Sequence, residues 1–172
     1  MQVLIANRQR KRKIDLPRLK QIADALIIDL KMADAELGVY LVGAPEMIRL
    51  NETYLHHAGS TDVIAFDYSE GGRAGSPEPA AKPRAMRTLP PVLQGEIFIC
   101  VDEAVRAARR FHASWQSEIV RYLIHGVLHL QGHEDSHPRA RRQMKREEDR
   151  RLRALTRRFS LAQLARPAKL AA

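Results

Sequence analysis

Apolar positions recur along this chain with two periods, and the period sorts the segments. Val3, Leu4 and Ile5 mark a short strand over 1–6. Asp15 and Pro17 then supply a helix start. Leu16, Leu19, Ile22, Ala23, Leu26, Ile27 and Leu30 repeat at helical spacing and predict a helix over 16–33 with one buried face. Residues 37–42 read as a second strand ended by Gly43, and Pro45, Met47, Ile48, Leu50 and Tyr54 as a helix reaching Leu55. TDVIAFDY (61–68) and LQGEIFICV (93–101) read as two more strands, and 102–111 as a helix. Residues 69–92, rich in Gly, Pro, Ala and Arg without periodicity, read as a flexible loop, either an insertion or a functional flap. Ile119, Val120, Leu123, Ile124, Val127, Leu128 and Leu130 make the next helix apolar nearly all round, which predicts a buried central helix. After Pro138 a charged helix runs to about Phe159, with Met144, Leu152 and Leu155 as its packing residues. The sum is an α/β (α+β) domain over 1–160, a single mixed sheet of about four strands packed with about five helices. Residues 161–172 read as a low-complexity tail.

The buried helix carries the candidate chemistry. His125 and His129 stand four residues apart, a turn of about 40° and a rise of about 6 Å, so both imidazoles leave one face. Two buried imidazoles without partners are costly, and a shared metal ion satisfies both. Gly132 accepts the positive φ that ends a helix, and Asp135, three residues on, can return as a third ligand. His133 and His137 also lie within reach. Asp135 is preferred for its tighter loop, with His137 the alternative. Two nitrogens and one carboxylate oxygen suit a single Zn²⁺ with a fourth position open to water, placed at the end of the central helix. In the metalloprotease signature a Glu follows the first His as general base. Here that position is Gly126.

Composition narrows the setting. The chain has 172 residues, 45% apolar, enough for one domain with its own core. One cysteine, Cys100, excludes an internal disulfide and fits a reducing compartment. No segment has the signal-peptide pattern or the ~20 apolar residues of a membrane span. No P-loop, CxxC or GxGxxG motif supports a nucleotide, zinc-ribbon or dinucleotide site. The net charge is +9, and residues 139–172 alone hold twelve Lys/Arg against three Asp/Glu. Arg139, Arg142, Arg146, Arg150, Arg153 and Arg157 step by three or four into one stripe. A second cluster is Arg8, Arg10, Lys11, Arg12 and Lys13. Such charge reads either as a solvated helix face or as a phosphate-binding surface for nucleic acid.

Several stretches together resemble one family. HGVLHLQG (125–132) resembles the HGxLHLxG signature of the YbeY endoribonucleases, the bacterial rRNA maturation factors. LN (50–51), Tyr54, STDVIAF (60–66) and GEI (95–97) are similar to that family's LNxxYR, PTDVLSF and GDI segments, in the same order. The resemblance implies a metal-dependent hydrolase of single-stranded RNA, cytoplasmic, acting in small-subunit rRNA 3′-end maturation and ribosome quality control, with the ribosome or its small subunit as partner. There are departures. The family's usual third ligand is His, in GYDH, where this chain has GHED and Asp135. The family's Arg after the Tyr is Leu55 here, followed by His56 and His57. YLHHAGSTDVIAFDY resembles a branch of the family with an Asp third ligand, which points to His57 as the group that steadies the phosphate or acts as acid, and the basic stripe, with Arg139, Arg142 and Arg146, would hold the RNA backbone. Thr61 and Asp62 read as loop-fixing residues. Two rival readings are a non-catalytic ribosome-assembly factor with a structural zinc closed by His137, and a zinc metallopeptidase, which Gly126 argues against.

Overall fold

A computed structural model of the chain describes residues 1–32, 34–69 and 93–165. Four strands form one sheet: β1 (Gln2–Asn7), β2 (Glu36–Val42), β3 (Val63–Asp67) and β4 (Gln94–Cys100), in the spatial order β1-β2-β4-β3. β1, β2 and β4 are parallel, with Val3 opposite Leu37 and Val39 opposite Ile97. β3 runs antiparallel to β4, with Ala65 opposite Ile97. The sheet is mixed, as expected. Five α-helices accompany it: α1 (Leu16–Asp29), α2 (Ala44–Leu50), α3 (Val101–Arg110), α4 (Trp115–Leu130) and α5 (Pro138–Arg158).

Alternation along the strands sorts side chains onto two faces. Val3, Leu37, Val39, Leu41, Ile97 and Ile99 face α1 and α4. There they meet Leu19, Ile22, Leu26 and Ile27 of α1 and Ile119, Leu123, Ile124 and Val127 of α4. Each such aliphatic side chain, fully buried, contributes about 1.5–3 kcal/mol of transfer free energy. The other face carries a smaller cluster of Val42, Met47, Ile64, Phe66, Phe98 and Cys100 under α2. α4 lies with its end over the start of β4. A Cβ at Gly126 would meet Ile97 Cγ2 at 2.7 Å, so the helix approaches the sheet as only glycine allows.

The structure differs from the sequence pattern at three ends. α1 stops at Asp29, four residues short of the expected end. Lys31 takes a left-handed φ of 56°, its N–H bonds Ile28 O, and the Met32 N–H bonds Ile27 O. This doubly bonded helix stop turns Met32 into the core. The helix expected to reach Leu55 divides into α2 and a π-helical turn, Asn51–Leu55, closed by His56 at φ 55°. The tail boundary at 160 also moves. Leu161–Leu164 forms a 3₁₀ turn with Leu161 and Leu164 buried, and Ala165 bridges Ile14. The rest of the expected tail and the expected loop, from residue 70 on, lie outside the described residues.

Candidate metal centre

α4 begins at Ser114, whose hydroxyl accepts from the Ser117 N–H at 3.1 Å. It ends at Gly132, φ 86°, where the Gly132 and His133 N–H groups bond His129 O and Leu128 O. That stop sends the chain back past the helix end, which is why Asp135 returns toward the histidines.

The two imidazoles face each other. His125 Nε2 and His129 Nε2 are 2.9 Å apart, and the rings meet edge to face. Each Nδ1 is engaged elsewhere. His125 Nδ1 lies 2.6 Å from Glu148 Oε1, and His129 Nδ1 lies 3.0 Å from the His133 carbonyl oxygen. A carboxylate and a carbonyl accept, so each Nδ1 carries a hydrogen, and in the neutral rings both Nε2 atoms present lone pairs. Two lone pairs at this distance repel unless a cation or a proton stands between them. Ligand atoms of His125, His129 and Asp135 lie within 4.8 Å of one another, and among the described residues these three form the group able to hold a metal. The donor set therefore fits a divalent ion.

The environment separates the two histidines. Burial alone lowers the His125 pKa, but the hydrogen bond and charge of Glu148 outweigh it and the net shift is upward. His129 is lowered by burial and by its neighbour His125. Glu148 is buried, 8% exposed, on the core side of α5. Arg121 offsets its charge at 3.7 Å and also donates to Asp149 at 2.7 Å. Glu118, buried beside Arg121, has its carboxyl pKa raised by burial.

The sequence reading overlooked Glu148, although a signal existed. It falls four residues after Met144 and four before Leu152, on the apolar stripe of α5, where a carboxylate needs a partner. It also overlooked Arg141, whose Nε donates to the Asp135 carbonyl at 3.3 Å. Asp62 behaves as expected: Oδ1 accepts from the Val63 N–H and the Thr61 hydroxyl, at 2.9 and 3.0 Å. Its charge also reaches His125, Glu118 and Tyr122.

The remaining candidates are not members of the three-residue group. His137 caps α5, with Nδ1 accepting from the Ala140 N–H at 3.3 Å, and does not join the three-residue group. His57 is exposed on the loop between the π turn and β3. Arg139, Arg142 and Arg146 are exposed. At about 100° per residue their stripe is turned away from the side of α5 that bears Met144 and Glu148.

Known proteins match this chain over most of its length. Residues 4–156 match the family described as Endoribonuclease YbeY. The chain belongs to that family. An Endoribonuclease YbeY of Geobacter metallireducens is 34% identical over 134 residues, covering 78% of this chain and 81% of the relative. One of Chlorobium luteolum is 33% identical over 149 residues, covering 87% and 94%. The solution structure of TM1509 from Thermotoga maritima shares the fold, with a TM-score of 0.60 at 19% identity over 99% of both chains. Membership of the YbeY family makes this chain a hydrolase of RNA phosphodiester bonds, an endoribonuclease of rRNA processing, as expected from its HGVLHLQG segment. Among the described residues no helix is long and apolar enough to cross a membrane.

Proposed function

We propose that His125, His129 and Asp135 hold one Zn²⁺ and that the site cuts single-stranded RNA in small-subunit rRNA 3′-end maturation and ribosome quality control. The observation that supports this best is the pair of Nε2 atoms 2.9 Å apart, with both Nδ1 hydrogens already donated. Bound there, the ion would lower the pKa of a water from 15.7 toward about 7 and polarise a phosphoryl oxygen. The chain's own residues do the rest. Glu148 and the His133 carbonyl fix the tautomers of the two ligands and keep their lone pairs aimed inward. Asp135 adds a negative charge that favours a divalent cation over a proton. His57 steadies the phosphate or protonates the leaving oxygen from the loop before β3. Arg139, Arg142 and Arg146 attract the RNA backbone along the outer face of α5. The setting is cytoplasmic, with the ribosome or its small subunit as partner.

The test is removal and return of the ion. Dialysis against a chelator should abolish cleavage of single-stranded RNA, and Zn²⁺ should restore it. His129→Ala should lose both the bound metal and the cleavage. Metal-loaded protein that binds RNA but never cuts it would favour the assembly-factor reading instead.

A further inference from the structure

A second concave surface is lined by none of the metal-centre residues. Arg8–Lys11 follow the end of β1, Gly43, Pro45, Glu46 and Arg49 follow the end of β2, and Asp102 follows the end of β4. Together they line a cleft of about 500 Å³. Because β1, β2 and β4 are parallel, the cleft sits beyond the carboxyl ends of all three strands, the side on which open α/β sheets commonly take ligands. The end of α4 is at the other extremity: Leu130 lies over Gly95, at the start of β4.

The lining is cationic. Arg8, Arg10, Lys11 and Arg49 face two acids. Arg8 pairs with Glu46 at 3.0 Å and Lys11 with Asp102 at 3.6 Å. Asp102 also accepts from the Ala44 N–H at 2.8 Å. Both acids are thereby engaged, while Arg10 and Arg49 make no ion pair among the described residues and are exposed. Arg8 then leads out of the cleft. Its guanidinium lies 4.4 Å from the Tyr40 ring centroid, and Tyr40 stacks on Phe98 at 4.8 Å and 18°. Tyr54 and Tyr68 stand about half exposed on the same sheet face, where Glu96 accepts from the Tyr40 and Tyr68 hydroxyls.

We propose that this cleft seats phosphodiester groups of single-stranded RNA, as a second contact beyond the metal centre, with Arg10 and Arg49 as its phosphate-binding residues. The chemistry that recognises the ligand is an arginine pair for the backbone, with Tyr54 and Tyr68 exposed farther along the same sheet face for unpaired bases to stack on. A duplex, its bases already stacked, would gain only the first. The proposal rests on the endoribonuclease reading for the identity of the strand.

The experiment is fluorescence anisotropy of a labelled single-stranded RNA of about 20 nucleotides, longer than the site sizes usual for single-strand binders. Full-length, metal-loaded wild type and the double variant R10A/R49A are titrated at several salt concentrations and read before turnover. Each phosphate contact on a single strand contributes about −0.7 to the slope of log K against log salt, so the variant should lose about 1.4. Its affinity should fall roughly tenfold at low salt. Wild-type affinity and slope in a variant with an unchanged thermal midpoint would overturn the proposal and leave the cleft to an acidic protein partner. Cleavage of the same strand by wild type on longer incubation tests the endoribonuclease reading separately.

Discussion

Glu148 Oε1 lies 2.6 Å from His125 Nδ1 and ties α5 to α4 at the metal centre. A carboxylate in that position fixes the hydrogen on Nδ1 and raises the basicity of Nε2. Glu148→Gln keeps the shape and can still accept, so Zn²⁺ affinity should fall about tenfold. Glu148→Ala also strands part of the Arg121 charge, and its loss should approach 100-fold. Competition with a chromogenic chelator measures both without reference to RNA cleavage. Equal affinity in all three proteins would remove Glu148 from the site.

Asp135 and His137 are two residues apart, and the first lies in the three-residue group while the second caps α5. Asp135→Ala should abolish stoichiometric Zn²⁺ binding. His137→Ala should keep the metal and lose only the helix cap, about 1 kcal/mol of stability. Metal analysis and thermal unfolding of the pair separate the roles, and the reverse pattern would make His137 the third ligand.

Glu147 offers a test by pH. Hydrogen bonds from Arg150 and then Arg151 hold its carboxyl down to about 2, against an ordinary 4.5. A depressed pKa means that the stability from this contact is fully present above 4.5. It is lost as the pH falls through about 2. The unfolding midpoint of Glu147→Gln should therefore depend less on pH across that window than that of wild type. The difference is small, since exposed ion pairs contribute about 0–1 kcal/mol. Parallel midpoint-against-pH curves would contradict the assignment.

Gly126→Ala should destabilise the fold. The new Cβ would meet Ile97 Cγ2 at 2.7 Å and Cδ1 at 2.9 Å, and a β-branched side chain has little room to yield. Overpacking of this kind costs about 1–3 kcal/mol, partly offset by about 1 kcal/mol of helix propensity. Chemical denaturation should show a net loss of up to about 2 kcal/mol. The same contact explains why no glutamate base can follow His125: position 126 faces the sheet rather than the ligands.

Periodicity carried most of the architecture because the buried faces of α1, α4 and the strands are nearly uninterrupted. It failed where backbone conformation decided the outcome. Lys31 ends α1 in a left-handed conformation that only glycine would have advertised. The π turn at Asn51–Leu55 has apolar spacing close to that of the helix before it. In the metal centre the histidine pair was legible from its spacing on an apolar helix. The choice between Asp135 and His137 was not, because spacing does not say which residue the α5 cap consumes. Glu148 is masked in the sequence by the arginines around it on α5, although its place among Met144, Leu152 and Leu155 marks it as inward-facing.

The last described residues bear on how the site matures. Leu161 and Leu164 enter the core, and Asp15 N–H bonds the Leu164 carbonyl at 2.9 Å, so the turn after α5 is anchored against the start of α1. That anchor holds down the far end of the helix bearing Glu148. During synthesis the two histidines leave the ribosome well before the carboxylate that orients one of them, and before the anchor that secures that carboxylate. A metal held by those histidines would thus reach its full affinity only after residues as far as Leu164 have been made.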